Sequence, residues 1–188
     1  KNAELASSVD NDNHGTHIAG IIAANANNKI GIAGVASNIN VKIMPLKIHG
    51  GINGKGTIAN AIKAIKYATM MGADICNMSW GSTNYSEALK TAMKESTMLF
   101  VTAAGNTGTD NDITPLYPAN YELDNQISVS FIDGDGRLTP DSNYGLNTVD
   151  IVAPGTNIIS TIVGSYATMS GSSMAAPHVS AIAAMLYS

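Results

Sequence analysis

Gly171-Ser172-Ser173-Met174-Ala175-Ala176-Pro177-His178-Val179-Ser180 is the stretch whose reading decides the fold. A small flexible residue comes first, then two hydroxyls, then a run that is apolar almost all round through Leu186. Such a run predicts a buried helix. A serine in its first turn lies in the field of unpaired backbone N–H groups and of the positive dipole end, where developing negative charge is favoured. Pro177 is expected to cost little, on the reading that it falls where an N–H has no intrahelical acceptor. The plainer alternative is that Ser172 or Ser173 caps a core helix.

Composition narrows the class around this helix. The chain has 188 residues, 45% of them apolar and only 5% aromatic, so the core is built of Ala, Ile, Val and Met. That length fits one domain or most of one. With 18 glycines and 13% charged residues it suits an α/β enzyme with tight turns rather than a disordered chain. A net charge of −4 offers no basic patch for nucleic acid. No apolar run is long enough to span a bilayer, and the polar start KNAELASSVDNDN is not a signal peptide. The first residue is not Met, which fits a processed or excised piece. The lone Cys76 sits in an apolar strand and forms no internal disulfide.

Outward from the C-terminal helix, the chain alternates strands and helices. Residues 1–13 read as loop, and His14 opens a short buried helix to Ala24. Asn25 to Lys29 breaks it. Val41 to Leu46 reads as a strand, Gly50 to Gly56 as a Gly-rich turn, and Ile58 to Met71 as an amphipathic helix stopped by Gly72. Strands follow at Ala73 to Ser79, Met98 to Ala104, Gln126 to Ile132 and Val149 to Ala153, with a helix at Glu87 to Glu95. Strands apolar on both faces predict a three-layer α/β fold, a mostly parallel sheet with helices on both sides.

In such folds the site gathers at the carboxyl ends of the strands. That edge offers Ser79-Trp80-Gly81, then Gly105-Asn106, beside the loops leading into His14 and Ser173. A His, a Ser and an amide suit acyl transfer: the hydroxyl needs a base near neutral pH, and the oxyanion needs fixed donors.

The segments NHGTHIAGIIAA, SWG, AAGN and GSSMAAPHV, in that order, resemble the motifs of the subtilisin-like serine proteases across nearly the whole chain. The resemblance implies His14 as general base, Ser173 as nucleophile and Asn106 as oxyanion donor beside the Ser173 N–H. It implies that Ser79, Trp80 and Gly81 pair with an extended polypeptide substrate. Ala103, Ala104 and Gly105 would form one wall of the pocket for the residue before the scissile bond, with Tyr117-Pro118-Ala119 at its bottom. A loop resembling the family's calcium site would use the Asn28 side chain and the carbonyls of Asn25, Ile30 and Ile32. A second, weaker cation site would use Asp150 with carbonyls near Ala119 and Tyr121. A propeptide or inhibitor in the cleft, and a secreted or cell-surface location, follow from the same resemblance.

Two departures stand out. Ser172 replaces the usual Thr, keeping the hydroxyl. The family's catalytic Asp ends a strand well upstream of the His, and only thirteen residues precede His14 here. Asp10 and Asp12 lie in the adjoining loop and Asp74 precedes a strand, so none takes that role. The expectation is an N-terminally incomplete domain over residues 1–188, lacking the Asp-bearing strand and the C-terminal helical end, and inactive alone. His14 and His17 lack the further ligands that zinc requires. His17 and His178 are read as structural, and His49 as solvated. Two other classes remain open: a peptide-binding module that no longer cuts, and an esterase or amidase using the same acyl chemistry.

Overall fold

The computed structural model describes residues 10, 12–49 and 56–188. Most of the expected N-terminal loop and of the turn at 50–56 lies outside them. The described elements are α1 (His14–Ala23), α2 (Ile58–Met70), β1 (Ile75–Met78), α3 (Glu87–Lys94), β2 (Leu99–Ala103), β3 (Gln126–Ile132), β4 (Ile151–Pro154), β5 (Ile158–Ile162), β6 (Ser165–Met169) and α4 (Ser172–Tyr187).

Strands β1 to β4 form one parallel sheet in simple sequential order. Strand residues alternate between two faces, so β2 feeds two separate cores. Phe100 joins Ala61, Ile65, Leu89, Met93 and Met98 under α2 and α3. Val101 and Ala103 join Val129, Phe131, Ala175, Ala176 and Val179 under α4. Helices therefore cover both faces, as the three-layer expectation requires. The alanines of α4 let it lie close to the sheet. Each fully buried large side chain here contributes about 1.5–3 kcal/mol.

Helix α1 packs mainly on α4 and on β5. The β5–β6 hairpin, unmarked in the sequence reading, sits over α1. Ser160 Oγ donates to the His17 carbonyl at 2.7 Å and Thr161 Oγ1 to the Thr16 carbonyl at 3.0 Å. The crossover from β1 to β2 uses α3, whereas those from β2 to β3 and from β3 to β4 carry no α-helix.

Three expectations are corrected. Val41 to Leu46 is not a strand: it joins no described ladder, and Ile43, Met44 and Leu46 are 41%, 39% and 36% exposed. A strand needs a partner to satisfy its backbone, and β1, at the sheet edge, does not pair with it. The last sheet strand starts two residues later than Val149. The Val149 N–H donates to the Gly145 carbonyl, and Pro154 is tolerated because β4 is the other edge. Pro177 is not in the first turn. It is the sixth residue of α4, where its missing N–H leaves the Ser173 carbonyl without a helical partner.

Candidate active site

That freed carbonyl is used. Ser79 Oγ donates to the Ser173 carbonyl at 2.9 Å, and Ser173 Oγ donates back to the Ser79 carbonyl at 3.2 Å. Asn77, in β1, donates to Ser79 Oγ at 2.9 Å and accepts from Ser180 Oγ at 2.9 Å. A chain of hydrogen bonds thus locks the end of β1 to the first turns of α4. Gly171 precedes the helix with φ 138°, a region side chains rarely enter, and a Cβ there would stand 3.1 Å from the Asn106 amide.

The turn after β2 is fixed by buried polar groups. Ser172, 1% exposed, accepts from the Gly105 N–H at 3.1 Å and donates to Asn106 Oδ1 at 2.8 Å. Asn106 Oδ1 also accepts the Ser172 N–H at 2.7 Å. Both oxygen contacts are therefore spent on the start of α4, and Asn106 Nδ2 has no partner among the described residues. Ala103 and Ala104 point into the core, so the wall expected of them is backbone. The Ala104 carbonyl accepts from Asn111 Nδ2 at 2.8 Å and Asn143 Nδ2 at 3.0 Å, and Asn143 Oδ1 accepts the Thr107 N–H at 2.8 Å. The sequence reading missed Asn111 and Asn143. Their signal is weak, because asparagines in loops are ordinary and only burial marks these two.

His14 begins α1. Asp12 Oδ1 accepts the His14 N–H at 3.0 Å, while Asp10 Oδ2 accepts the Thr16 N–H at 2.8 Å and the Thr16 hydroxyl at 2.6 Å. The two aspartates hold backbone N–H groups of the helix start, which would otherwise lack acceptors. Burial alone would raise the Asp10 carboxyl, but its hydrogen bonds with Thr16 and Asp12 hold it well below the usual carboxylate range. Burial pulls the His14 imidazole below its ordinary value, and the charge of Asp12 only partly opposes this. No hydrogen bond joins the His14 ring to Ser173 among the described residues. His14 does feel the charge of His49, whose ring stands edge-on to Trp80 at 6.3 Å. His49 is exposed, as expected, with one edge of its ring toward Trp80. His17 is fully buried, with Nε2 3.1 Å from both the Ile158 and Ala167 carbonyls, and ties α1 to the hairpin. His178 Nδ1 lies 2.8 Å from the Met174 carbonyl, and burial lowers its imidazole.

Past β1, Ser82 and Tyr117 exchange two backbone hydrogen bonds, at 2.7 and 2.8 Å, while the backbones of Trp80 and Gly81 have no partner among the described residues. The Tyr117 ring, half-buried, lies in an aromatic cluster. It packs on Tyr85 and Tyr121, with ring centres 5.1 and 5.0 Å away. Leu116 lies against both Gly81 and Gly105.

The Asn25–Ala33 loop curls around a cavity of about 470 Å³. Asn27, Lys29 and Gly31 take positive φ there, and Asn28 Oδ1 already accepts the Ile30 N–H at 2.9 Å. The described residues hold no group of three acidic, His or Cys side chains fit for a metal. The Ala119 carbonyl accepts from Gln126 Nε2 at 3.1 Å, and Asp150 Oδ2 accepts the Ser128 N–H at 2.7 Å. Of the groups expected at the weaker cation site, the Ala119 carbonyl and one Asp150 oxygen are therefore engaged by the protein. No described helix is long and apolar enough to cross a membrane.

The chain is similar to known proteins in family and fold. The model of the Subtilase family matches residues 1–188. The chain is 45% identical over 184 residues to the Thermophilic serine proteinase of Bacillus sp. (strain AK1), covering 96% of this chain and 44% of that protein. It is 40% identical over 188 residues to Subtilisin-like protease 2 of Plasmodium falciparum, covering 96% of this chain and 14% of that one. The chain thus spans less than half the length of these relatives. The crystal structure of a cold adapted subtilisin-like serine proteinase superposes with a TM-score of 0.73 at 31% identity, covering 92% of this chain and 60% of that chain. The protease domain of PatA, solved as a mutant, gives 0.79 at 30%, covering 93% and 64%. On a family match over its whole length and the same α/β fold, the chain belongs to the subtilase family.

Proposed function

We propose that this chain carries most of the active site of a serine endopeptidase acting on extended polypeptides. One observation carries the reading: Asn106 spends its Oδ1 on the N-terminus of α4, so its free N–H groups stand beside the helix start that bears Ser173. An oxyanion formed on a carbonyl attacked by Ser173 would meet the Asn106 Nδ2 and the Ser173 N–H. Ser173 Oγ rests on the Ser79 carbonyl. Rotation about its side chain would hand its proton to His14, whose lowered basicity keeps the imidazole neutral and able to accept it. His14 would later return that proton to the leaving amine. The substrate backbone would pair with the unengaged Trp80 and Gly81 backbone, a mode suited to peptide rather than to a small ester.

The carboxylate partner of His14 lies, on this proposal, outside the 188 residues. Asp10 and Asp12 are occupied in capping α1 and do not hydrogen-bond its ring. Calcium is part of the proposal too, held by the Asn25, Ile30 and Ile32 carbonyls and the Asn28 side chain. These neutral oxygens suit a hard cation. Lys29 lines the same cavity and no carboxylate does, so the site would be weak.

The test is a fluorophosphonate probe on the longer protein that contains this chain, with the adduct mapped by mass spectrometry. Ser173 is the expected site. Labelling of Ser172 or Ser180, or none in a folded sample, would reject the assignment. Peptide binding that survives Ser173→Ala, with no cleavage by the unmutated protein, would favour a non-cutting binding module.

A further inference from the structure

The two segments proposed to flank the substrate are separated by a single side chain. A Cβ added at Gly81 would stand 2.8 Å from Leu116 Cδ2 and 2.9 Å from its Cγ, and one added at Gly105 would stand 2.9 Å from the same Cδ2. One methyl therefore bridges both walls. Glycine at 81 and 105 leaves room for that methyl, and any larger residue at either position would collide with it.

Leu116 is not on a loose loop. Its N–H donates to Asn120 Oδ1 at 3.0 Å, and its carbonyl accepts the Asn120 N–H at 2.9 Å. Asn120 Nδ2 in turn donates to the Asn111 carbonyl at 2.8 Å, tying this turn to the amide network behind the Ala104 carbonyl. The next residue, Tyr117, is bonded twice to Ser82 and packed into the Tyr85–Tyr121 cluster. The backbone below the slot is held from both sides, so the side chain cannot retreat by moving the chain.

We propose that Leu116 limits the residue before the scissile bond to a small side chain: Gly, Ala or Ser. The inference rests on the protease reading above and names its substrate class. A larger side chain would have to displace a Leu whose methyl already lies against both Gly81 and Gly105. Displacement costs the contacts of that Leu and leaves the incoming group poorly packed, because a filled apolar space resists added volume.

The experiment uses the longer protein and a peptide library varied only at the residue before the scissile bond. Cleavage after Ala is expected to exceed cleavage after Phe or Leu in kcat/KM by at least the roughly 10- to 200-fold that a single misfitting methylene is worth. Leu116→Ala should raise the Phe-to-Ala ratio of kcat/KM by a factor in that same range of about 10 to 200. Leu116→Val, which keeps a branched apolar side chain, should raise it less, and serves if the alanine variant does not fold. Equal cleavage after Phe and Ala by the unmutated protein, or a ratio unmoved by both variants, would overturn the inference. Ser173→Ala separates the two levels. Cleavage that it abolishes, with a preference for large residues, leaves the protease reading standing and removes only this inference. Absence of any cleavage dependent on Ser173 removes both.

Discussion

At the scale of residues, the site depends on a few hydroxyls and amides whose partners are buried. Ser172 is the clearest. Its hydroxyl accepts the Gly105 N–H and donates to Asn106, so Ser172→Ala would strand a buried donor. Such an orphan costs about 1–3 kcal/mol. Ser172→Thr keeps the hydroxyl and is expected to cost far less, and urea unfolding of both variants checks the contrast. Asn106→Ala tests chemistry as well as folding, because it also strands the Ser172 N–H and hydroxyl, so its stability is measured alongside its kinetics. A hydrogen bond to a charged group is worth about 1.5–3 kcal/mol, so kcat should fall roughly 10- to 100-fold with little change in KM. A loss confined to KM would make Asn106 a ground-state binding group. His14 gives a pH prediction with a definite sign. Its neutral form is the base, and burial lowers its affinity for the proton. In the 188-residue chain, without the proposed carboxylate partner, the imidazole is therefore expected to titrate below the ordinary histidine value of about 6.5, and an NMR titration that placed it above would contradict burial as the dominant influence.

At the scale of elements, α1 is the piece held most elaborately. Its start is capped by Asp10 and Asp12, its side is pinned through His17, and Val163 N donates to Asn13 Oδ1 at 3.0 Å. Asp10→Ala removes the acceptor of two Thr16 bonds and should cost about 0.5–2 kcal/mol, the range for a lost cap. Because the folded-state carboxyl is held low, this stability is present above the ordinary carboxylate pKa of about 4 and is lost as the pH falls below it. Thermal melts across that range should converge for the two proteins at the acid end. Convergence at the alkaline end instead would contradict the assignment.

At the scale of the whole molecule, β1 and β4 are the sheet edges and have no outer partner strand among the described residues. Beside the main core, Ile43, Met44 and Leu46 stay partly in water with no strand to lie on. An unpaired parallel edge and exposed apolar side chains are an aggregation liability. The 188-residue chain by itself is therefore expected to bind a hydrophobic dye such as ANS, to unfold with low cooperativity, and to show little peptidase activity. A sharp calorimetric transition with full activity from this chain alone would refute that expectation.

Much of this was legible in the residues because local chemistry decides it. The period of Ile58, Ala61, Ile65 and Ala68, the apolar runs of β2 and β3, and the small residues of α4 each specify an element through burial that only one geometry satisfies. Order along the chain was enough to bring Ser79, Asn106 and Ser173 to one edge, since parallel strands all end on the same side. Tertiary structure alone decided the rest. Val41 to Leu46 has the composition of a strand, but a strand exists only if a neighbour accepts its hydrogen bonds. Asn143 and Asn111 look like ordinary loop residues until burial forces their amides to pair with the Ala104 carbonyl. Leu116 reads as one apolar residue in a polar loop. Its place between Gly81 and Gly105, contributed by segments far apart in sequence, arises only when those segments meet in space. Pro177 shows the division most plainly: the missing N–H is a property of the residue, but that the freed Ser173 carbonyl finds the Ser79 hydroxyl is a property of the fold.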